Sequence, residues 1–503
     1  MTRLLFFLIL LTTSLSAVPP TRKVLLSTLD PSSASQHLAF YQLYSETHEG
    51  KIALERAWRL LSGNPRSVTP LNQLPSSHVL DSIIALVNRQ PTEKLPNMTT
   101  HDLATINELS QNFGNRRLKG YGLNSEEQVL RLHPEEIDLA RGLLLSQALP
   151  MDEIVTYEAM IDLMALQVQS QLAPNATPEQ IVRVMNRFIF EEMQFRFPPH
   201  SAFAKDIDLY TFLPSVLDSR RGVCLGVSIL YICLAQRLNV PLEIITPPGH
   251  IYVRYRDGDH IINIETTARG IDVESEQYLS LNTRKLQLRN LKETIGFAHV
   301  NQASLYWSAD DHSKILPSYE IALKYIHNDP LIYELYAYAL IVNGQVEKGR
   351  TILQQQKGVI ADHAIVKEPL CEDYLSGKTD AEGILSCFLM VDEDRESLLK
   401  KKEKIEAHLI KFPEFRSGYF TLATTLMQMH REGEALDLLK RYHKLDANNP
   451  TAEYILSILS AKRFDFNEAW RHLVNAETIV ASKNHKPKAL KELRKQLSVI
   501  YPE

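Results

Sequence analysis

From Cys224 to Ala235 the chain is almost unbroken in Leu, Ile, Val, Ala, Tyr and Cys, a pattern that predicts a helix buried on most sides and ended by Asn239 and Pro241. The pattern then changes to alternation. Ile251, Val253 and Tyr255 before Asp257-Gly258, and Ile262 and Ile264 after it, predict a β-hairpin with one face on a core. Asp-Gly suits a type I′ turn, which needs positive φ at both central residues. That turn sets Arg256 opposite Asp259 and His250 opposite Glu265, with roughly 5 Å between facing Cβ atoms. The His250 face also carries Tyr252, Arg254, Arg256 and Asn263 beside a lone Ile261, which makes a poor core and a plausible site wall.

The rest of the chain reads as helical. Residues 18 to about 125 suggest helices joined by Pro-, Ser- and Asn-rich loops, with a helical hairpin marked by Phe40, Tyr41, Tyr44, Ala53 and Ala57. Two amphipathic helices are expected between Pro134 and Leu172. Thr177-Pro178-Glu179-Gln180 then has the form of a capping box with Pro at the first helical position, followed by a stripe of Ile181, Val184, Met185, Phe188 and Ile189.

Beyond residue 296 the pattern repeats. Leu422, Leu426, Ala435, Leu439 and Tyr442 recur as Leu456, Ser460, Ala469, Leu473 and Ala476, at the tetratricopeptide period of about 34 residues. An earlier copy shows at Tyr333, Tyr336, Ala337, Leu340, Gly349 and Leu353, and helices without clear register are expected from about 357 to 412. The resemblance to tetratricopeptide repeats implies a solenoid whose concave groove takes a peptide or partner helix; a spacer, or packing for the core, fits the pattern equally.

The candidate chemistry lies between the long helix and the hairpin. Cysteine is nucleophilic as its thiolate, which a helix N-terminus stabilises, and a histidine can take its proton when a third group fixes the ring. Cys224 opens the helix, His250 opens the hairpin and Glu265 closes it. The positive helix end and the neighbouring Arg220 and Arg221 favour the thiolate, whereas apolar burial opposes it. Cys233 reads as packing, and Asp257 and Asp259 are weaker third groups because they sit at the turn. A metal site from Cys224, His250 and His260 lacks the paired spacing typical of zinc, with His260 on the opposite hairpin face, so neither metal nor cofactor is expected.

The run Leu213-Pro214-Ser215-Val216-Leu217-Asp218-Ser219-Arg220-Arg221-Gly222, the helix ending Ala235-Gln236-Arg237-Leu238, and Pro248-Gly249-His250 resemble the SirB-type branch of the transglutaminase-like superfamily. Glu136-Ile137-Asp138-Leu139-Ala140, Asn186-Arg187-Phe188-Ile189-Phe190 and Asn290-Leu291-Lys292 extend the resemblance over roughly residues 130 to 295. It implies a papain-like core in which Cys224 is the nucleophile, His250 the proton shuttle and Glu265 the group that orients the ring. Many members of this branch have Gly-x-Pro where this chain has Gly222-Val223-Cys224, so the nucleophile is retained here. The third group is Glu rather than the usual Asp, one methylene longer and still able to orient an imidazole.

Length and composition bound the reading. A chain of 503 residues with 44% hydrophobic content supports two or three domains, and a formal charge of −5 makes no case for nucleic acid. Arg3, the apolar run Leu4 to Leu11 and Ser14-Leu15-Ser16-Ala17 have the layout of a secretory signal cleaved near Ala17, with no later span for a membrane. In an oxidising compartment Cys371 and Cys387 could bridge adjacent helices, and two buried free thiols explain them equally well. Asn97-Met98-Thr99 and Asn175-Ala176-Thr177 are glycosylation sequons. The expected architecture is a mostly helical α+β chain: signal at 1–17, helical region at 18–125, transglutaminase-like core with a small antiparallel sheet at 126–295, and repeats at 296–503. The expected function is an exported cysteine-dependent acyl-transfer enzyme that hydrolyses amide or peptide bonds of a protein or peptide substrate through a thioester. The alternative is a non-catalytic envelope scaffold that binds protein partners through its repeats. Among the candidate oxyanion donors are the Cys224 backbone N–H and, further upstream, Tyr210 or Thr211.

Overall fold

Buried charge explains the first departure from the sequence pattern. In the computed structural model, which describes residues 21–63, 74–199, 206–307 and 312–502, α1 (Leu139–Ser146) and α2 (Met151–Ser170) are buried almost all round. They are not the amphipathic helices expected. Their polar residues are paired inside the protein: Arg141 donates from Nε to Glu158 at 2.7 Å, and Asp162 binds Arg116 and Arg237. The expected signal at 1–17 lies outside the described residues. The N-terminal helices that cover α2 include the hairpin pair Ala34–Tyr44 and His48–Leu61, as Phe40, Tyr44, Ala53 and Ala57 indicated. The helix Pro178–Asn186 opens with the expected capping box, Thr177 Oγ1 accepting from the Gln180 N–H and Gln180 Oε1 from the Thr177 N–H.

The apolar run forms α3 (Cys224–Arg237), with every residue from Leu225 to Ala235 buried. Against it packs a sheet of β1 (Glu243–Thr246), β2 (Tyr252–Asp257), β3 (His260–Glu265), β4 (Ile271–Asp272) and β5 (Gln287–Arg289), in the order β4-β3-β2-β1-β5 with antiparallel neighbours. Val253, Tyr255 and Ile264 turn inward, as alternation predicted.

The hairpin register differs from the expected one. Asp257 pairs with His260 and Val253 with Ile264, so the turn is Gly258-Asp259 and His250 precedes the strand. Gly258 has φ +56° and Asp259 is not in the left-handed region, the pattern of a turn that demands positive φ only at its first central position. The slip is an even number of residues, so every side chain keeps its face.

The sheet region and the N-terminal helices share one hydrophobic core that runs from Ala34 to Tyr325. Helix α4 (Leu291–Trp307) links it to a second core: Ile295 and Ala298 belong to the first, Ala303 and Trp307 to the second. The second core, and a third around the last helices, are built by a helical solenoid of tetratricopeptide type. Its pairs are α5 (Pro330–Val342) with α6 (Val346–Gln356), α7 (Arg416–Gln428) with α8 (Glu432–Leu445), and α9 (Pro450–Lys462) with α10 (Phe466–Ala481). Leu422, Leu426, Ala435, Leu439 and Tyr442 are all buried, as are their counterparts from Leu456 to Ala476. Three helices between residues 370 and 411 fill the stretch where the repeat is broken. No helix among the described residues is long and apolar enough to cross a membrane.

The bridge considered between Cys371 and Cys387 is not formed. The Cys371 thiol donates to the Leu353 carbonyl, Cys387 accepts from Thr421, and both are free. Burial pushes these thiols up, to about 12 and about 11.

Candidate active site

The start of α3 is held from below. Gly222 N–H donates to the Arg196 carbonyl and Val223 N–H to that of Tyr210, at 3.1 and 3.0 Å. The N-cap position falls on Val223, which has no side-chain acceptor to offer, so the first-turn N–H groups remain available at the end where Cys224 sits. Thr266, directly after β3, donates from Oγ1 to the Cys224 carbonyl and shares a hydrogen bond with Ser228 on the next turn. The strand that carries Glu265 is thus tied to the helix that carries the thiol.

His250 stands in a turn rather than in a strand. Its N–H donates to the Pro247 carbonyl at 3.0 Å, and Gly249 supplies the positive φ of +72° that this path requires. The ring meets Glu265 through Nε2···Oε2 at 2.7 Å, although the two residues are not opposite in the ladder, whose pairing ends at Val253 and Ile264. The diagonal reach of an imidazole and a Glu side chain closes that gap. Nε2 is taken by the carboxylate, which leaves Nδ1 as the ring nitrogen for the thiol of Cys224 on the same cleft.

Every lone pair of the Glu265 carboxylate is engaged. Oε1 accepts from the Thr267 N–H at 3.1 Å and hydroxyl at 2.6 Å, and Oε2 accepts from His250 and from the Tyr278 hydroxyl at 2.5 Å. Tyr278 also stacks on His250 and Tyr252, with centroids 5.6 and 4.5 Å away. Much of the remaining polar face is buried as well: Arg254 bonds Asn263, Tyr252 and Ser275, and Asn263 bonds the Val273 carbonyl, under the segment after β4.

Burial alone would raise the Glu265 carboxyl, but the hydrogen bond and charge of His250, with Thr267 and Tyr278, bring it down to about 2. Burial would likewise lower His250, yet its hydrogen bonds to Cys224 and Glu265 and their charges lift it to about 10. Near neutral pH the ring is therefore an imidazolium between a carboxylate and a sulfur.

Cys224 and His250 open into a cleft of about 350 Å³. Its far wall comes from helices that follow the sheet: Leu331, Ile332 and Leu335 of α5, with Val300 and Asn301 of α4. Asp208 lines it too, bound by the Ser304 hydroxyl and raised by burial. The structure brings together all three residues predicted from sequence. It turns Arg220 elsewhere, to the Arg89 carbonyl, and it leaves Tyr210 and Thr211 off the cleft lining, the former giving its carbonyl to Val223 and the latter buried. His260 faces Glu179, away from the site. Sequence reasoning missed Thr267 and Tyr278. Thr267 had a local signal, since a hydroxyl two residues past a carboxylate commonly bonds it; Tyr278 had none.

Residues 155–294 match the family model of the transglutaminase-like superfamily. The chain carries a transglutaminase-like domain. No curated protein matches it. Solved structures similar to parts of it include MamA from Desulfovibrio magneticus RS-1, at 13% identity and TM-score 0.20 over 37% of this chain and 96% of that one. Another is the Cut9–Hcn1 hetero-tetramer of APC/C, at 12% identity and TM-score 0.21 over 94% and 91%. Likenesses at these scores say nothing about what the chain does.

Proposed function

We propose that the transglutaminase-like domain is an active cysteine-dependent acyl-transfer site, acting on an amide or peptide bond of a protein or peptide substrate in an exported protein. The observation that carries the reading is the Nε2···Oε2 contact of 2.7 Å between His250 and Glu265, beside a thiol at a helix start that opens on a cleft. In this reading Cys224 attacks the substrate carbonyl as thiolate, and the His250 imidazolium gives its proton to the leaving amine as the C–N bond breaks. The thioester is then attacked by water, which passes a proton to His250, and the carboxylic acid departs with the thiolate restored. The Cys224 N–H and its first-turn neighbours offer the oxyanion a donor. Glu265 does not exchange protons; it fixes the ring and favours its charged form.

Hydrolysis is preferred to amine transfer because the cleft is open to water, which far outnumbers any amine acceptor. The test is incubation of the full chain with glutamine-containing peptides, with and without a primary amine, against Cys224→Ala. Cleaved or deamidated peptides that depend on Cys224 are expected. Amine adducts in their place would make it a transferase. No Cys224-dependent product of any kind, together with a sluggish thiol, would return the chain to the scaffold reading.

A further inference from the structure

The last two repeat helices and the one before them enclose a polar cluster that the acyl-transfer reading does not use. Glu453, in the first turns of α9, is fully buried, and two imidazoles turn the same ring nitrogen toward it: His443 Nδ1 of α8 at 2.5 Å from Oε1, and His472 Nδ1 of α10 at 2.8 Å from Oε2. The three donor atoms lie within 4.8 Å of one another. Two imidazoles and a carboxylate are a donor set that borderline divalent ions such as zinc favour. With metal–ligand bonds of about 2.0–2.1 Å, donors around one ion stand roughly 3.3 Å apart, so each imidazole must draw back from the carboxylate by less than about 1 Å to admit it.

Ligation through His472 requires a change of tautomer. A histidine that ligates a metal through one nitrogen generally donates its other N–H to a carboxylate. His472 Nε2 has Glu468 Oε2 3.7 Å away, and Glu468 is itself held by Arg471. Without an ion, His472 gives its Nδ1 proton to Glu453 while Nε2 accepts from Arg471 at 3.1 Å. Moving that proton to Nε2 frees the Nδ1 lone pair, and with Arg471 swung off the ring Glu468 is the nearby carboxylate toward which the new N–H can turn. Asn475 Nδ2, 3.1 Å from Glu453 Oε2, steadies the carboxylate in either state. His443 is only partly buried, with 22% of its side chain exposed, which gives an ion a route in and leaves a coordination position to water.

The geometry points to a structural zinc-type site formed by His443 Nδ1, Glu453 and His472 Nδ1, which clamps α8, α9 and α10 at the end of the solenoid. Sequence reading had no access to it, because the three ligands stand on three helices with none of the close pairing that marks zinc motifs.

The experiment uses tag-free full chain, stripped with chelator, reloaded with zinc chloride and passed through a desalting column. Retention of about one zinc per chain is expected, with a thermal midpoint raised by roughly 5 °C at saturating zinc. Because 17 histidines bind zinc weakly wherever they are exposed, the comparison with His443→Ala decides. That position is half-open, so the variant should fold, and it should hold zinc at least about tenfold less tightly. Cobalt substitution should give the absorption of a low-coordinate N/O site in the wild type and not in the variant. Equal retention, equal midpoints and no cobalt signature in the two proteins would overturn the site and leave a hydrogen-bonded node only.

Discussion

The two ends of α3 hold charged groups in opposite ways. At its first turn, Cys224 faces an imidazolium and a carboxylate, and the sulfur and ring open on a cleft. At its last turn, Arg237 is sealed: Nε donates to Asp162 at 2.6 Å and Nη1 to the Cys233 carbonyl at 3.1 Å, with Arg116 completing the cluster from outside. Both obey the helix dipole, a developing anion at the positive end and a cation at the negative end. The difference is access. Buried charge at the C-terminal end holds helices together, whereas the same pairing at the N-terminal end leaves one nucleophile reachable. A buried ionised cluster is therefore not a site until one of its atoms has somewhere to react.

Cysteines within the helix sharpen the contrast. Cys233 is fully buried, and burial raises its thiol far above the ordinary range. The largest expected effect is at the open end: Cys224→Ala should remove acyl transfer, a loss of at least about 10³-fold in kcat/KM, while leaving the urea midpoint nearly unchanged. Glu265→Gln should cost about 10³-fold, because the ring loses both its anchor and its counter-charge. The same variant should move the alkaline limb of the pH–rate profile down from about 10 toward the ordinary histidine value of 6.5.

Linkage gives that pair a second readout. Glu265, depressed in the folded state, stabilises above its ordinary 4.5, and that contribution is lost as pH falls through about 2. His250, raised, stabilises fully below 6.5, and that contribution is lost as pH rises through about 10. The difference in urea midpoint between wild type and Glu265→Gln should thus be greatest between pH 4.5 and 6.5 and shrink on either side.

At the sealed end, Arg237→Met should leave Asp162 short of a partner in the core and destabilise by about 3–4 kcal/mol, read by urea unfolding, without changing the intrinsic reactivity of Cys224. Should it instead abolish labelling in protein that is still folded, the two ends would not be independent. Smallest is Tyr278→Phe, which removes one donor from a carboxylate that keeps three others; about a tenfold loss of rate is expected, with KM little changed.

Range decides how much of this is legible in the sequence. The buried helix, the inward residues Val253, Tyr255 and Ile264, the capping box at Thr177 and the repeat positions are local patterns, and local patterns survive folding. The meeting of His250 with Glu265 survived a wrong register because the slip was even and their long side chains reach diagonally. Asp257-Gly258 and Gly258-Asp259 turns leave the same alternation in the chain, so nothing in the hairpin sequence chose between them. Charge is less legible because its pairing is long-range: the place of Glu158 and Asp162 is set only when Arg141 and Arg237 are brought over them. Tyr278, and the cleft wall from α5, depend on segments that cross only in the folded chain.

The most direct measurement is the rate of iodoacetamide labelling at each cysteine of the native protein near neutral pH, mapped by mass spectrometry in wild type and His250→Ala. Cys224 should react at least about 10²-fold faster than Cys233, and His250→Ala should slow Cys224 without altering the others. Slow labelling of Cys224 at the rate of the buried thiols, unaffected by loss of the ring, would contradict an acyl-transfer site at the head of α3.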